Sequence, residues 1–158
     1  MTTISEEEKQ IVFKSFKGIQ SEFTKVVMTR ALMMFIKTSP EALKIFSWGD
    51  PQNPDKDYMK DPKFIKHAKS IGDMIGNCMA EIRSIENMKP MLEEIGSMHN
   101  EKNVQLHYYT KLGNCIIKVL ADVKPNGEWN ADIESAWEKA YDVITTYMVQ
   151  KFWMGHLI

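Results

Sequence analysis

The 158-residue sequence predicts an all-α fold, and three observations carry that prediction. Apolar residues recur at a period near 3.6 through successive windows, no segment alternates at period 2 for long enough to make a strand, and helix-start and helix-stop signals punctuate the chain at short intervals. Neither an internal repeat nor a linker divides it. Residues 1–158 therefore read as one domain of about seven to eight helices, long enough to bury a core without disulfide or metal staples.

Each element has its own local warrant. Ser5-Glu6-Glu7-Glu8 is a capping box, and the helix it starts carries Val12, Phe13, Phe16 and Ile19 on one face to about Gln20. A second helix, from about Glu22 to Thr38, buries Val27, Ala31, Leu32, Phe35 and Ile36. Ser39-Pro40 ends it, because the residue before proline is pushed out of the αR region, and Pro40 to Phe46 is then a short helix with proline in its first turn. Trp48 to Asp57 is the one long run of turn residues and reads as a surface connection; it lacks the acidic spacing of a calcium loop.

Asp61-Pro62 supplies a cap and a first-turn proline for a helix running to about Ile82. The pattern breaks from Ser84 to Lys89, Pro90 opens a short helix through His99, and Asn100 to Asn103 turns the chain into a long helix from Val104 to about Val123. After a turn at Lys124 to Gly127, Asn130 or Asp132 caps a last helix through Ile133, Trp137, Tyr141, Ile144 and Met148 to about Lys151. The tail, Phe152 to Ile158, is too apolar to stay free in water, so it either packs back on the body or joins two subunits into a homodimer.

A net charge of -1, from 20 Lys+Arg against 21 Asp+Glu, supplies no basic field to attract phosphate backbones, so nucleic acid is not an expected partner. No apolar run approaches the roughly 18 residues of a membrane span and the N-terminus is polar and acidic, so the expected setting is cytoplasmic, away from the membrane. Cys78 and Cys115 belong to no C-x-x-C pair and neighbour no histidine; both read as buried thiols in a reducing compartment.

Two histidines sit on apolar helix faces. Phe64, His67, Ala68, Ile71, Met74, Ile75, Cys78, Met79 and Ile82 form one stripe, and Leu92, Ile95, Gly96 and His99 another. His107 lines up instead with Lys111, Asn114 and Lys118 and reads as solvated. A lone inward histidine is ordinarily a core side chain bonded to a carbonyl; a pair invites a shared ligand.

The spacing sharpens this. Phe46 lies six residues after Pro40, His67 lies 21 after Phe46, and His99 lies 32 after His67. With Leu92-x-x-Ile95-Gly96-x-x-His99-x-x-x-x-Val104 and Ala136-Trp137-x-x-x-Tyr141, the chain resembles the globin family over nearly its whole length, with local patterns closest to neuroglobin-like and invertebrate intracellular members. The resemblance implies a globin fold around a haem pocket holding non-covalent haem b and its iron. It implies His99 as the proximal iron ligand and His67 on the distal side, toward dioxygen or another diatomic ligand or directly on the iron. It further implies that Leu32 and Ile71 crowd the ligand side, Phe46 the ring edge, and Ile95, Val104, Tyr109 and Ile144 the proximal side and floor.

The chain also departs from the family pattern: Phe16 stands where many members have tryptophan, Met98 where vertebrate myoglobins place a serine that orients the proximal ring, Trp48-Gly49 in place of a second loop aromatic, and Ser70 in place of a neuroglobin lysine.

The chemistry follows from the residue types. A five-coordinate ferrous haem needs one neutral imidazole, whose other ring nitrogen can donate to a carbonyl one turn back, here Ile95. A donor on the opposite side, His67, would stabilise dioxygen by a charge-assisted hydrogen bond of roughly 1.5–3 kcal/mol. The expected function is reversible dioxygen binding for storage or transport, without catalytic residues and with a five-coordinate resting haem. The alternative is a haem redox enzyme or sensor, performing nitric oxide dioxygenation, nitrite reduction or a peroxidase-like reaction with His67 as acid-base group. A haem-free helical interaction module would account for the 12 methionines but gives the two inward histidines no task.

Overall fold

The capping box closes as the sequence predicts. In the computed structural model, which describes residues 3–153, the Ser5 hydroxyl accepts from the Glu8 amide at 3.1 Å and the Ser5 amide donates to the Glu8 carboxylate at 3.0 Å, opening α1 (Glu6–Glu22). No loop separates this helix from the next. The backbone turns at Glu22 (φ -112°, ψ -3°), widens into a π-type stretch over Phe23–Met28, and continues as α2 (Thr29–Thr38). The kink carries Phe23 inward to stack on Trp137 (ring centroids 6.2 Å apart) and to meet Phe16 edge-on (5.5 Å). The break falls where the sequence ends one helix at about Gln20 and starts another at about Glu22, but it is made within a continuous helical backbone and not by a loop.

After Ser39 a 3-10 turn spans Pro40–Ile45. Phe46 does not extend it as expected but leaves in extended conformation (φ -104°, ψ 136°). The loop that follows corrects a second expectation. Residues 50–57 are exposed, but the ends are not: Trp48 is 7% exposed, and Tyr58, in a short 3-10 turn (Tyr58–Lys60), is fully buried. The connection is anchored at both ends by aromatic rings.

Helix α3 (Pro62–Ala80) is capped by Asp61, whose carboxylate accepts from the Lys63 amide at 2.9 Å. The expected break appears as a 3-10 stretch, Ile82–Met88, interrupted at Ser84 (φ -135°, ψ 46°), and it buries Ile82 and Ile85. Helix α4 (Lys89–Glu101) has Pro90 in its first turn. The Val104 amide returns to the His99 carbonyl (3.1 Å) through Asn103 at positive φ, so α5 (Leu106–Val123) starts two residues later than the sequence suggests. Lys124 closes α5 in the left-handed region, a 3-10 turn (Pro125–Gly127) follows, and Asn130 caps α6 (Ala131–Trp153) by accepting from the Ile133 amide at 2.9 Å.

Six α-helices and short tighter or wider turns thus make up the described chain, and no strand is present among the described residues. Helix α6 is the spine, with α1, α4 and α5 against it; α2 packs on α5, and α3 on α1 and the π-type stretch. The Trp137 indole donates to the Ser15 hydroxyl (2.8 Å), which itself donates to the Ile11 carbonyl (2.7 Å), so the largest buried ring leaves no polar atom unsatisfied. Both thiols are buried, and burial pushes Cys78 up to about 12 and raises Cys115, so both stay protonated. No helix among the described residues is long and apolar enough to cross a membrane. The expectation for the tail from Phe152 to Ile158 falls, beyond Trp153, outside the described residues.

Candidate functional site

A cavity of about 340 Å³ opens between α2 and α3 on one side and α4, α5 and α6 on the other. All nine residues singled out from the sequence line it: Leu32, Phe46, His67, Ile71, Ile95, His99, Val104, Tyr109 and Ile144. The helical period explains the convergence. His67, Ile71, Met74 and Ile75 form one face of α3, Leu32 and Phe35 one face of α2, and Tyr141, Ile144, Thr145 and Met148 one face of α6. Sequence reasoning missed Phe35, Tyr108, Leu112, Tyr141 and Met148, which it had assigned to helices or core without aiming them at a common space. It also missed Lys102 and Thr145 among the polar members of the lining, and noted Ser70 only as a departure from the family pattern. His107 is exposed and lines nothing, as expected.

His99 is held by its own helix. Its Nδ1 lies 2.7 Å from the Ile95 carbonyl oxygen, one turn back. A carbonyl only accepts, so Nδ1 carries a hydrogen, and the neutral ring then has its lone pair at Nε2. Ser97 donates its hydroxyl to the Glu93 carbonyl (3.0 Å) and Met98 is exposed, so neither residue bonds the ring. Gly96 brings the helix to its place. A Cβ there would sit 1.8 Å from the Met148 carbonyl oxygen, so only glycine lets the α4 backbone press against α6.

His67 is held from outside its helix. The Trp48 indole N–H donates to its Nδ1 at 3.1 Å. Phe46 meets the imidazole edge-on at 5.2 Å and stacks against Trp48 at 4.5 Å with planes 12° apart. Burial, followed by the nearby His99 and Lys102, depresses the His67 pKa below its ordinary 6.5, so the ring is neutral at pH 7. Of the two aromatic residues that meet His67, Phe46 was expected at the cavity, whereas Trp48 was noted only as a departure from the family pattern and its bond to His67 was not foreseen. The available signal was an aromatic at each end of a polar run, Trp48 and Tyr58, but no periodicity said that either pointed inward.

On the floor, the Tyr141 hydroxyl donates to the Tyr109 carbonyl (2.8 Å), and burial pushes Tyr109 up to about 12 and Tyr141 higher. Neither phenol ionises near neutrality. No group of three or more His, Cys, Asp or Glu side chains that could hold a metal ion is present among the described residues, so the two imidazoles are the metal-ligating chemistry this cavity offers.

Comparison with known proteins agrees with this geometry. A family model described as globin matches residues 29–148. A solved neuroglobin from the acoel Symsagittifera roscoffensis superposes with a TM-score of 0.81 at 29% identity, covering 92% of this chain and 97% of that one. The chain is 22% identical over 148 residues to a flavohemoprotein of Halalkalibacterium halodurans, covering 94% of this chain and only 33% of that protein's length. It is 20% identical over 138 residues to an anaerobic nitrite reductase of Oryza sativa subsp. indica, covering 87% and 88% of the two.

Proposed function

This chain belongs to the globin family, and on that premise we propose that it holds haem b non-covalently in the cavity and binds dioxygen, or another diatomic ligand, reversibly for storage or transport. One observation carries this reading: two imidazoles, each engaged at Nδ1, line a single largely apolar cavity from α3 and α4. Two side-chain ligands with no third are too few to hold a bare metal ion in a closed site, but they suit a metal that brings four ligands of its own. The cavity volume falls within the roughly 300–1,000 Å³ of sites that bury a small organic molecule.

When bound, haem would supply an iron able to take a histidine imidazole together with a small diatomic ligand. His99 is the residue to ligate it, since its lone pair at Nε2 is free and its plane is set by the bond to Ile95. His67 lines the cavity with Nδ1 taken by Trp48, so it would hold its proton at Nε2 and could donate it in a hydrogen bond to a small anionic or polarised ligand. Such a bond is worth roughly 1.5–3 kcal/mol. Leu32, Ile71 and Phe46 exclude bulk water on that side, Ile95, Val104, Tyr109 and Ile144 shape the other, and Lys102 offers a cation to carboxylates of the ring.

A redox or sensing role is the second reading. The likeness to an anaerobic nitrite reductase favours it, since it extends over 88% of that protein's length. Here His67 would pass its Nε2 proton to a reacting anion. A single experiment separates the two. The ferrous, hemin-loaded protein is cycled between oxygen and argon, then given nitrite under argon. Repeated reversible spectral change with slow nitrite turnover supports storage or transport. Rapid oxidation with sustained nitrite turnover supports the redox reading, and a protein that takes up no hemin sinks both.

A further inference from the structure

We propose that Trp48 keeps the sixth coordination position of the haem open, by fixing His67 in the tautomer that can donate a hydrogen bond to a diatomic ligand but cannot ligate iron. The inference rests on the haem reading and deepens it.

The argument is one of donors and acceptors. An indole N–H can only donate, so the His67 Nδ1 it meets at 3.1 Å must offer a lone pair. A neutral imidazole has one ring proton, which therefore sits on Nε2, the ring nitrogen not engaged by Trp48, on a residue that lines the cavity. A protonated ring nitrogen has no lone pair for a metal. For His67 to bind iron through Nε2, that proton must leave Nε2 and be taken up at Nδ1, with no net gain or loss. It would then point at the indole N–H, turning a hydrogen bond into an opposition of two donors.

Trp48 has little room to yield. It is 7% exposed, so water cannot readily replace the lost acceptor. Its ring stacks on Phe46 and packs edge-on against Phe64 at 5.2 Å and Tyr58 at 5.5 Å. The next residue, Gly49, runs so close to the Leu43 carbonyl that a Cβ would lie 2.1 Å from its oxygen, which seats the loop on the 3-10 turn below it. The buried Tyr58 hydroxyl ties the far side, accepting from the Asp50 amide at 3.0 Å and facing the Asn53 carbonyl at 3.0 Å. Trp48 is thus a positioning residue: it acts on the ligand site only through His67.

The test is Trp48→Phe, which keeps the ring in the stack and removes the N–H. In the ferrous, hemin-loaded protein without external ligand, wild type is expected to be predominantly high-spin. The variant should raise the ratio of His67-ligated to open haem about fivefold, the equivalent of losing one buried hydrogen bond of about 1 kcal/mol. The added low-spin bands should vanish in Trp48→Phe combined with His67→Leu. An unchanged spectrum in Trp48→Phe, or a wild type already low-spin through His67, overturns the proposal. A second measurement needs no variant: ring-nitrogen NMR of the carbonmonoxy ferrous protein should find His67 protonated at Nε2 and bare at Nδ1, and the opposite tautomer overturns the proposal. Absence of a haem absorption band after loading removes the haem reading itself, and this inference with it, and is distinguishable from a tautomer or spin-state failure in a coloured protein.

Discussion

The two sides of the cavity solve the same problem by different means. Each presents an imidazole whose outer nitrogen is tied so that the inner one faces the cavity. On the α4 side the tie is local: His99 bonds to Ile95, one turn back, and any helix that continues through both residues makes that bond available. On the α3 side the tie comes from Trp48, 19 residues away across a loop, and depends on Phe46, Gly49, Tyr58 and Phe64 to hold the indole. A local tie is insensitive to the rest of the fold, whereas a borrowed one fails when the loop moves. The difference also runs through polarity. The helix carbonyl makes His99 a donor at Nδ1 and a lone-pair ligand at Nε2; the indole makes His67 the reverse.

The largest test of this contrast is removal of the α4 imidazole. His99→Ala is expected to lower haem affinity by more than about 100-fold, since loss of even an outer-shell partner of a metal ligand commonly costs 10–100-fold, while His107→Ala, exposed on α5, leaves a hemin titration unchanged. Equal affinity in the His99 variant and wild type would overturn the assignment of sides. Next is Gly96→Ala, which sets a methyl against the Met148 backbone rather than a side chain that could turn aside. We expect about 3 kcal/mol of destabilisation, read from the urea midpoint, together with a disturbed haem spectrum as α4 is pushed from α6. A variant as stable as wild type would show that the α4 side tolerates displacement after all.

Tyr58→Phe probes the borrowed tie. It removes the hydroxyl that serves the Asp50 amide and the carbonyls of Asp50 and Asn53, so it should cost about 1 kcal/mol and speed hydrogen exchange at the Asp50 amide. The signals of His99 should stay in place; if they moved as much as those of His67, the two sides would not be independent. The smallest effect is expected away from both. Glu8 bonds to Lys139 and to the Ser5 amide, which together hold its carboxyl at about 2 against an ordinary 4.5. Its contribution to stability is present above pH 4.5 and is lost as the pH falls toward 2. The gap in urea midpoint between wild type and Glu8→Gln should therefore close over that range, with the haem spectrum of the variant matching wild type at neutral pH.

The helices and the inward facing of His67 and His99 were legible because both follow from short-range rules, whereas the rest of the named lining came from the family resemblance. Ser5 and Glu8 close their box within one turn, Asp61 and Pro62 start α3, and the stripe through His67 and Ile71 aims both residues to one side whatever they meet there. The boundary near Glu22 was legible, but not the continuous π-type stretch that replaces a loop there, in which Phe23 packs against Phe16 and Trp137, residues 7 and 114 positions distant in the chain. Nor was the inward turn of Trp48 and Tyr58, since irregular backbone has no period from which a facing can be read.

By itself, then, the amino-acid sequence determined an all-α chain, the presence of two inward imidazoles and, through the i to i−4 geometry of a helix, the tautomer of His99. Only the tertiary structure decided how closely α4 lies on α6, which residues of five helices share one cavity, and the tautomer of His67. The physical reason is range. A hydrogen bond within a helical turn is set by backbone geometry that neighbouring residues impose on one another, whereas the indole reaches His67 only after the loop has been seated on α3 and the 3-10 turn.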